Sequence, residues 1–296
     1  MFLLNWLTSW ACAARVFRPD RQIVRPAFAG HYAGMTVSTP DSKTSLLSPL
    51  YIWQGGWLVL LSAMENQPHQ HVAASLLVSL DGMLRVELGE QSLRQSLVRV
   101  APEVSQSLRS DGPLAVMHLD PDEPAWWCLR EAESDAHLPL EALRENLLAL
   151  ADGHARADLA AEFVERLRRP APLNPPDARV IRACQQLRHD NSLDLETLAA
   201  GANLSASRFR RLFSEQLGVT FKRFVLHLKC QRALSLWESG MSLTELAVAA
   251  GFYDQPHLNR TLRAMFDALP SRYARGQSVQ VVPLSLPANT RTTSQE

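Results

Sequence analysis

The apolar positions of this chain change period along its length. Between residues 46 and 120 they form short apolar or alternating runs at 50–53, 57–61, 74–80, 83–88, 96–100 and 114–119. Turn signals separate the runs, among them Gln54-Gly55-Gly56, Asp81-Gly82, Gly89 and Asp111-Gly112-Pro113. Short strands with this punctuation predict a β-sandwich or barrel. Asp81-Gly82, flanked by two apolar runs, predicts a hairpin. Beyond Pro139 the period becomes helical. Leu140, Leu143, Leu147 and Leu150 share one stripe, and Leu159, Phe163 and Leu167 share another. Residues 170–176 hold four prolines in seven positions, which predicts an extended linker.

After the linker the helical period returns and repeats itself. Helices are expected at 177–188, 194–200, 206–217, 220–237, 242–249 and 256–266, with a short turn at 271–273. Within them, two units share one plan: a short apolar helix, a turn at a small residue, then a helix bearing arginines. Gly201 marks the first turn and Gly251 the second, and 251 − 201 = 50 residues separate them. Ser205 and Ser242 stand at N-cap positions, and Glu245 completes a capping box with Ser242. Pro256 fits the first turn of its helix, where no amide hydrogen is needed. Two helix-turn-helix units joined by one long helix point to DNA. Held rigidly, their second helices can enter successive major-groove faces roughly 34 Å apart.

Helical periodicity divides each candidate recognition helix into two faces. In 206–217, Phe209, Leu212 and Phe213 form the inward stripe; Ser207 and Arg211 lie opposite, with Arg210 at the edge. Arg208 leans toward the inward side and suits a phosphate or a neighbour. In 256–266, Leu258, Leu262 and Phe266 point inward. Pro256, Asn259, Arg260 and Arg263 face outward, with Gln255 near the amino-terminal end. Arg can bridge guanine O6 and N7, and Asn can bridge adenine N6 and N7. Because Pro256 has no side-chain hydrogen bonder, the first unit is expected to dominate sequence reading.

Charge supports this division. The whole chain sums to zero, yet residues 177–276 hold 14 Lys+Arg against 9 Asp+Glu, a net of +5, and residues 1–176 hold 15 against 20, a net of −5. A basic carboxyl-terminal half beside an acidic amino-terminal half suits one polyanion-binding domain. The four cysteines form no C-x-x-C pair, which argues against a zinc or redox motif and for thiols in a reducing compartment. No apolar run reaches 18 residues, so no membrane span and a cytoplasmic location are expected.

The pattern Leu198-Ala199, Leu204-Ser205, Phe209-Arg210-Arg211-Leu212-Phe213, Leu217-Gly218-Val219 and Phe224 resembles the first half of an AraC/XylS-type DNA-binding domain. Ser242-Leu243-Thr244-Glu245-Leu246-Ala247, Gly251-Phe252, Asp254-Gln255, Arg260, Phe266 and Pro270-Ser271-Arg272-Tyr273 resemble the second half. The resemblance implies a transcription regulator that contacts DNA through Ser207, Arg210 and Arg211, then Gln255, Pro256, Asn259 and Arg260. The chain departs from the family pattern at Lys229, Pro256, Leu258 and Asp267.

Pro68-His69-Gln70-His71, followed by strands, is similar to the small cupin-like sensor barrel of part of that family. In cupin enzymes a His-x-His pair binds metal together with a Glu and a later His. Here the later strand, read as 100–108, carries Gln or Ser where that His is expected. His69 and His71 are therefore weak metal candidates, and no cofactor is expected. His118, Trp53, Trp57, Trp126 and Trp127 suit either a pocket or a core.

Together these patterns predict a multidomain α+β protein. Residues 1–45 are expected to be a disordered arm, with Met35 as an alternative start. Residues 46–169 are expected to form the cupin-like barrel and its helices, 170–176 the linker, 177–276 an all-α double helix-turn-helix domain, and 277–296 a disordered tail. The function expected is a one-component regulator, not an enzyme. Its expected partners are double-stranded DNA, RNA polymerase and a small-molecule effector, and the helices at 140–168 are long enough for a homodimer. The alternative is a metal-dependent cupin enzyme fused to a DNA-binding module.

Overall fold

The computed structural model describes residues 46–130, 140–169, 172, 174–236, 241–266 and 280–286, with the side chains of residues 140, 234 and 263–266 outside that set. The expected arm, the 271–273 turn and the last ten residues also lie outside it.

The amino-terminal region is built from two sheets. Its strands are β1 (Leu50–Trp53), β2 (Gly56–Leu61), β3 (Met64–Glu65), β4 (His69–Gln70), β5 (Ala74–Ser79), β6 (Leu84–Leu88), β7 (Gln91–Gln95), β8 (Leu97–Val100), β9 (Ser105–Ser110) and β10 (Leu114–Leu119). A last strand, β11 (Val281–Pro283), arrives from the far end of the chain. One sheet runs β11-β1-β2-β10-β5-β8, and the other runs β3-β9-β6-β7 with β4 also on β9. The two sheets do not close into one ring among the described residues.

The cores follow from side-chain alternation. Val59, Leu61, Leu77, Leu84, Val86, Leu108, Leu114 and Val116 fill the space between the sheets. The intervening residues Leu58, Leu60, Leu76, Val78, Ala115 and Met117 face the other way, onto helices. Burial on both faces explains why β5 and β10 are buried throughout. Three helices cover the outer face: α1 (Pro124–Arg130), α2 (Leu140–Leu148) and α3 (Ala157–Arg168). α1 was not expected from sequence; it is a short turn of helix anchored by a buried pair. The Arg168 Nε donates to Glu123 Oε1 at 2.7 Å, and Trp53 Nε1 donates to Glu123 Oε2 at 3.2 Å.

Three expectations need correction. Asp81-Gly82 does not close a hairpin: β5 and β6 belong to different sheets, and the turn carries the chain between them. The strand expected at 100–108 breaks, because Glu103 adopts φ 62° and its N–H donates to the His71 carbonyl at 2.8 Å. The expected disordered tail is ordered over 280–286, where β11 pairs in parallel with β1. Val282 and Leu284 supply the physical reason, since both are buried against the helix-covered core.

The carboxyl-terminal region is all α. Its helices are α4 (Ala178–His189), α5 (Leu195–Gly201), α6 (Ala206–Leu217), α7 (Phe221–Leu236), α8 (Leu243–Ala249) and α9 (Gln255–Phe266). α4, α6 and α7 pack on one another, and α9 packs on α7 and α8. Phe209, Phe213 and Phe224, all fully buried, stand at the centre, with Phe213 and Phe224 in edge-to-face contact at 5.5 Å. The burial of each such ring contributes about 1.5–3 kcal/mol.

Candidate nucleic-acid interface

Capping fixes where each candidate recognition helix begins. Ser205 caps α6 by accepting from the Arg208 N–H, and Gly218 ends it with φ 72°. Asp254 accepts from the His257 N–H at 2.6 Å, so α9 starts at Gln255, one residue before the sequence expectation. Pro256 then occupies the second helical position, still within the turn that needs no amide donor. In α8, Ser242 and Glu245 form the expected capping box.

The two turns are not equivalent in backbone. Gly251 adopts φ 86°, as the repeat predicts for a turn glycine. Gly201 is the last residue of α5 and does not have a positive φ; Asn203 does, at 54°. Asn tolerates the left-handed region better than most residues, so the first turn uses it where the second uses glycine.

α6 exposes the whole predicted face. Phe209, Phe213 and Leu217 are buried, while Ser207, Arg208, Arg210 and Arg211 are exposed. Leu212, expected inside, is only half-buried, and Arg208, expected to lean inward, is open to solvent. Arg211 Nε donates to Glu215 Oε1 at 2.7 Å, one turn on along the surface. α9 exposes less. Leu258 and Leu262 are buried, Pro256 and Arg260 are exposed, and Gln255 and Asn259 are half-buried. Gln255 Oε1 also accepts from Thr244 Oγ1 at 3.3 Å. The Arg263 and Phe266 side chains lie outside the described set.

The histidines meet, but as a hydrogen-bonded pair. Nε2 of His69 lies 2.7 Å from Nε2 of His71, and Nδ1 of His69 lies 2.6 Å from the Gln67 carbonyl. Two nitrogens bound tetrahedrally to one zinc at about 2.05 Å stand roughly 3.3 Å apart, so this spacing does not fit a shared metal. Among the described residues no group of three His, Cys, Asp or Glu is arranged to hold one. His118 packs against His71 and Trp57 at ring-centroid distances of 4.2 and 4.1 Å. Burial, then the neighbouring imidazoles His71 and His69, hold its pKa well below the usual histidine range, so the ring is neutral. Trp53, Trp126 and Trp127 are buried core, and Trp57 is half-buried.

A polar cluster that the sequence did not single out joins the two halves. Asp120, at the end of β10, is 2% exposed. Its Oδ2 accepts from Arg188 Nη2 at 2.7 Å, and its Oδ1 lies 2.8 Å from His227 Nε2. Gln231 Nε2 donates to both carboxylate oxygens, at 3.2 and 3.1 Å. Arg188 Nε also donates to Asp122 Oδ2 at 2.9 Å. Burial alone would raise the Asp120 pKa; the charges of His227 and Arg188 outweigh it and hold the carboxyl far below its usual range. Beside this cluster, Arg223 of α7 grips Glu103 through Nε and Nη2 at 3.0–3.1 Å. Val72 is buried in the helical core, and β4 lies against α9.

The carboxyl-terminal region is therefore a tandem helix-turn-helix domain, with its two arginine-bearing faces open to solvent. Residues 198–276 match the family model described as a helix-turn-helix domain. The chain is 32% identical over 117 residues to the HTH-type transcriptional regulator GbdR of Pseudomonas aeruginosa, covering 38% of this chain and 32% of that protein. It is also 32% identical over 133 residues to the arabinose operon regulatory protein of Salmonella typhimurium, covering 40% and 46%. The chain thus spans less than half the length of these relatives. Among solved structures, ToxT from Vibrio cholerae aligns over 79% of this chain and 97% of its own, at 11% identity and a TM-score of 0.46.

Proposed function

We propose that the protein is a sequence-specific DNA-binding transcription regulator whose amino-terminal region responds to a small-molecule effector or a partner. The observation that carries this reading is the pair of recognition helices α6 and α9. Each sets an exposed arginine opposite a buried apolar stripe, and both grow from one core. The two relatives above are named as regulators, which supports the same reading. Arg210, Arg211 and Ser207 read bases from α6, and Arg208 sits on phosphate. Asn259, Arg260 and Arg263 act from α9, with Gln255 and Pro256 at its entry. The half-buried state of Gln255 and Asn259 supports a smaller share of recognition for the second helix.

In this reading the chain works in the cytoplasm, binds promoter DNA, contacts RNA polymerase and forms a homodimer. Among the described residues no helix is long and apolar enough to cross a membrane. The decisive experiment selects sequences from random duplex DNA with the full chain, then measures affinity against salt. The expected result is an enriched motif and a log K that falls linearly with log salt at about 0.9 per phosphate contact. A selection that enriches nothing, with equal affinity for all duplexes, rejects sequence-specific regulation.

A further inference from the structure

Among the described residues Tyr253 is the most exposed large apolar side chain, at 90%. Its neighbours on both sides are committed to the fold. Phe252 is buried in the helical core, and its N–H donates to the Ala247 carbonyl at 2.8 Å. Asp254 caps α9 by accepting from the His257 N–H. The backbone is thus pinned on either side of a ring that faces water.

The first helix-turn-helix has no counterpart to this residue. There the left-handed Asn203 is followed by Leu204, whose N–H donates to the Ala199 carbonyl at 2.9 Å, and then directly by the N-cap Ser205. In the second unit the left-handed Gly251 is followed by Phe252, which makes the same bond five residues back. Tyr253 then intervenes before the cap. The left-handed residues are 251 − 203 = 48 positions apart and the caps 254 − 205 = 49, so the second turn is longer by one residue.

The extra residue stands beside the end of a candidate recognition helix that is short of donors. Tyr253 is two positions ahead of Gln255, the first residue of α9, so its Cα lies within about 8 Å of that residue's Cα. Recognition helices meet DNA through their amino-terminal residues. In α6, Ala206 and Ser207 both carry an N–H ahead of the capped Arg208. In α9 only Gln255 does. Pro256 has no N–H, and those of His257 and Leu258 go to Asp254, through Oδ1 at 2.6 Å and the main-chain carbonyl at 3.1 Å. A phenol O–H is a phosphate donor, and a side chain with two torsions loses little entropy on binding.

We propose that Tyr253 is a DNA-backbone contact of the second helix-turn-helix. Its hydroxyl donates to a phosphate beside the entry of α9 and seats that helix in the groove, where Pro256 and the half-buried Gln255 offer little. The proposal rests on the reading of α6 and α9 as DNA-binding helices and adds to it an anchor that is indifferent to sequence.

Tyr253→Phe in the full chain removes the hydroxyl and keeps the ring. Because the position is exposed, thermal melting is expected to be unchanged. Anisotropy titrations use a random-sequence duplex pool and a duplex selected from it. Affinity for both is expected to fall by about three- to tenfold, with base preference unaltered. On the selected duplex, ethylation of one phosphate is expected to weaken the unaltered chain but not the variant. Unchanged affinity in Tyr253→Phe overturns the proposal. A loss confined to the selected duplex, with relaxed preference at one base pair, shows base reading and also overturns it. So does unchanged DNA binding with reduced transcription by added RNA polymerase, which assigns the ring to a protein partner. An unaltered chain that binds every duplex alike refutes sequence-specific regulation, while the loss on the random pool still reads the Tyr253 contact.

Discussion

Arg188→Ala should cost more stability than any substitution on the exposed faces of α6 and α9. The Arg188 side chain is 8% exposed and faces Asp120 and Asp122, which are 2% and 9% exposed. Its guanidinium also lies 5.9 Å from the Phe224 ring centroid. Removal leaves the Asp120 carboxylate with His227 and Gln231 and takes the Arg188 guanidinium from Asp122. Breaking such a buried pair costs about 3–5 kcal/mol, because an uncompensated charge stays in a low-dielectric site. That is a large share of the roughly 5–15 kcal/mol that holds a domain folded. Urea denaturation followed by circular dichroism reads the loss, and a double-mutant cycle with Asp120→Asn isolates the pair. A total cost below about 1 kcal/mol, or single effects additive within about 0.5 kcal/mol, would refute the reasoning. Acid gives an independent check. The folded Asp120 pKa lies below its unfolded value near 3.9, so its contribution is complete above about pH 4 and is lost as pH falls further. Cooperative unfolding of the two halves should therefore persist down to about pH 4 and separate below it.

Four further outcomes are expected. Arg211→Ala and Arg260→Ala should each weaken binding to the selected DNA about five- to 150-fold and relax preference at one base position, as anisotropy titrations would show; unchanged affinity and preference would remove them as base readers. Gly251→Ala should destabilise by about 1 kcal/mol or more because of its positive φ and a Cβ 3.3 Å from Lys229 Cε, whereas Gly201→Ala should be neutral or stabilising in the same denaturation assay. Ser242→Ala should cost about 1 kcal/mol by removing the capping box, measured by thermal melting. His118, held neutral in the fold, should make stability fall with acid by up to about 1.4 kcal/mol per pH unit below its unfolded pKa near 6.5. A His118→Phe variant should lose that part of the slope.

The helical half was legible because its signals are local. Stripes such as Phe209-Phe213-Leu217 and caps such as Ser205 and Ser242 lie within a few residues of the helix they define. The one misread turn came from treating Gly201 as the partner of Gly251, when the left-handed residue is Asn203. The strands of the inner sheet were also legible, since burial on both faces made β5 and β10 continuous apolar runs. Their assignment to sheets was not, because Asp81-Gly82 looks the same whether it closes a hairpin or crosses between layers. β7 is largely exposed and polar along its length, so it leaves no apolar pattern to read. β11 was hidden by its brevity and by a proline.

The junction could not be read locally at all. Asp120 and Gln231 are 111 residues apart, and Glu103 and Arg223 are 120 apart. Each looks, in sequence, like an ordinary polar surface residue. Their placement nevertheless gives the fold a direction of influence. β10 carries His118 in the interior and Asp120 at its end, so any displacement of the inner sheet at His118 moves the carboxylate that holds α4 and α7. β4 carries His69, adjoins His71 and lies against α9. One cluster of imidazoles therefore adjoins the attachment points of both helix-turn-helix units. If a signal enters between the sheets, this is where both units would feel it. A His71→Ala variant should then alter exchange in α9 without altering the exposed face of α6, and equal effects on both helices would show that β4 is not a separate route.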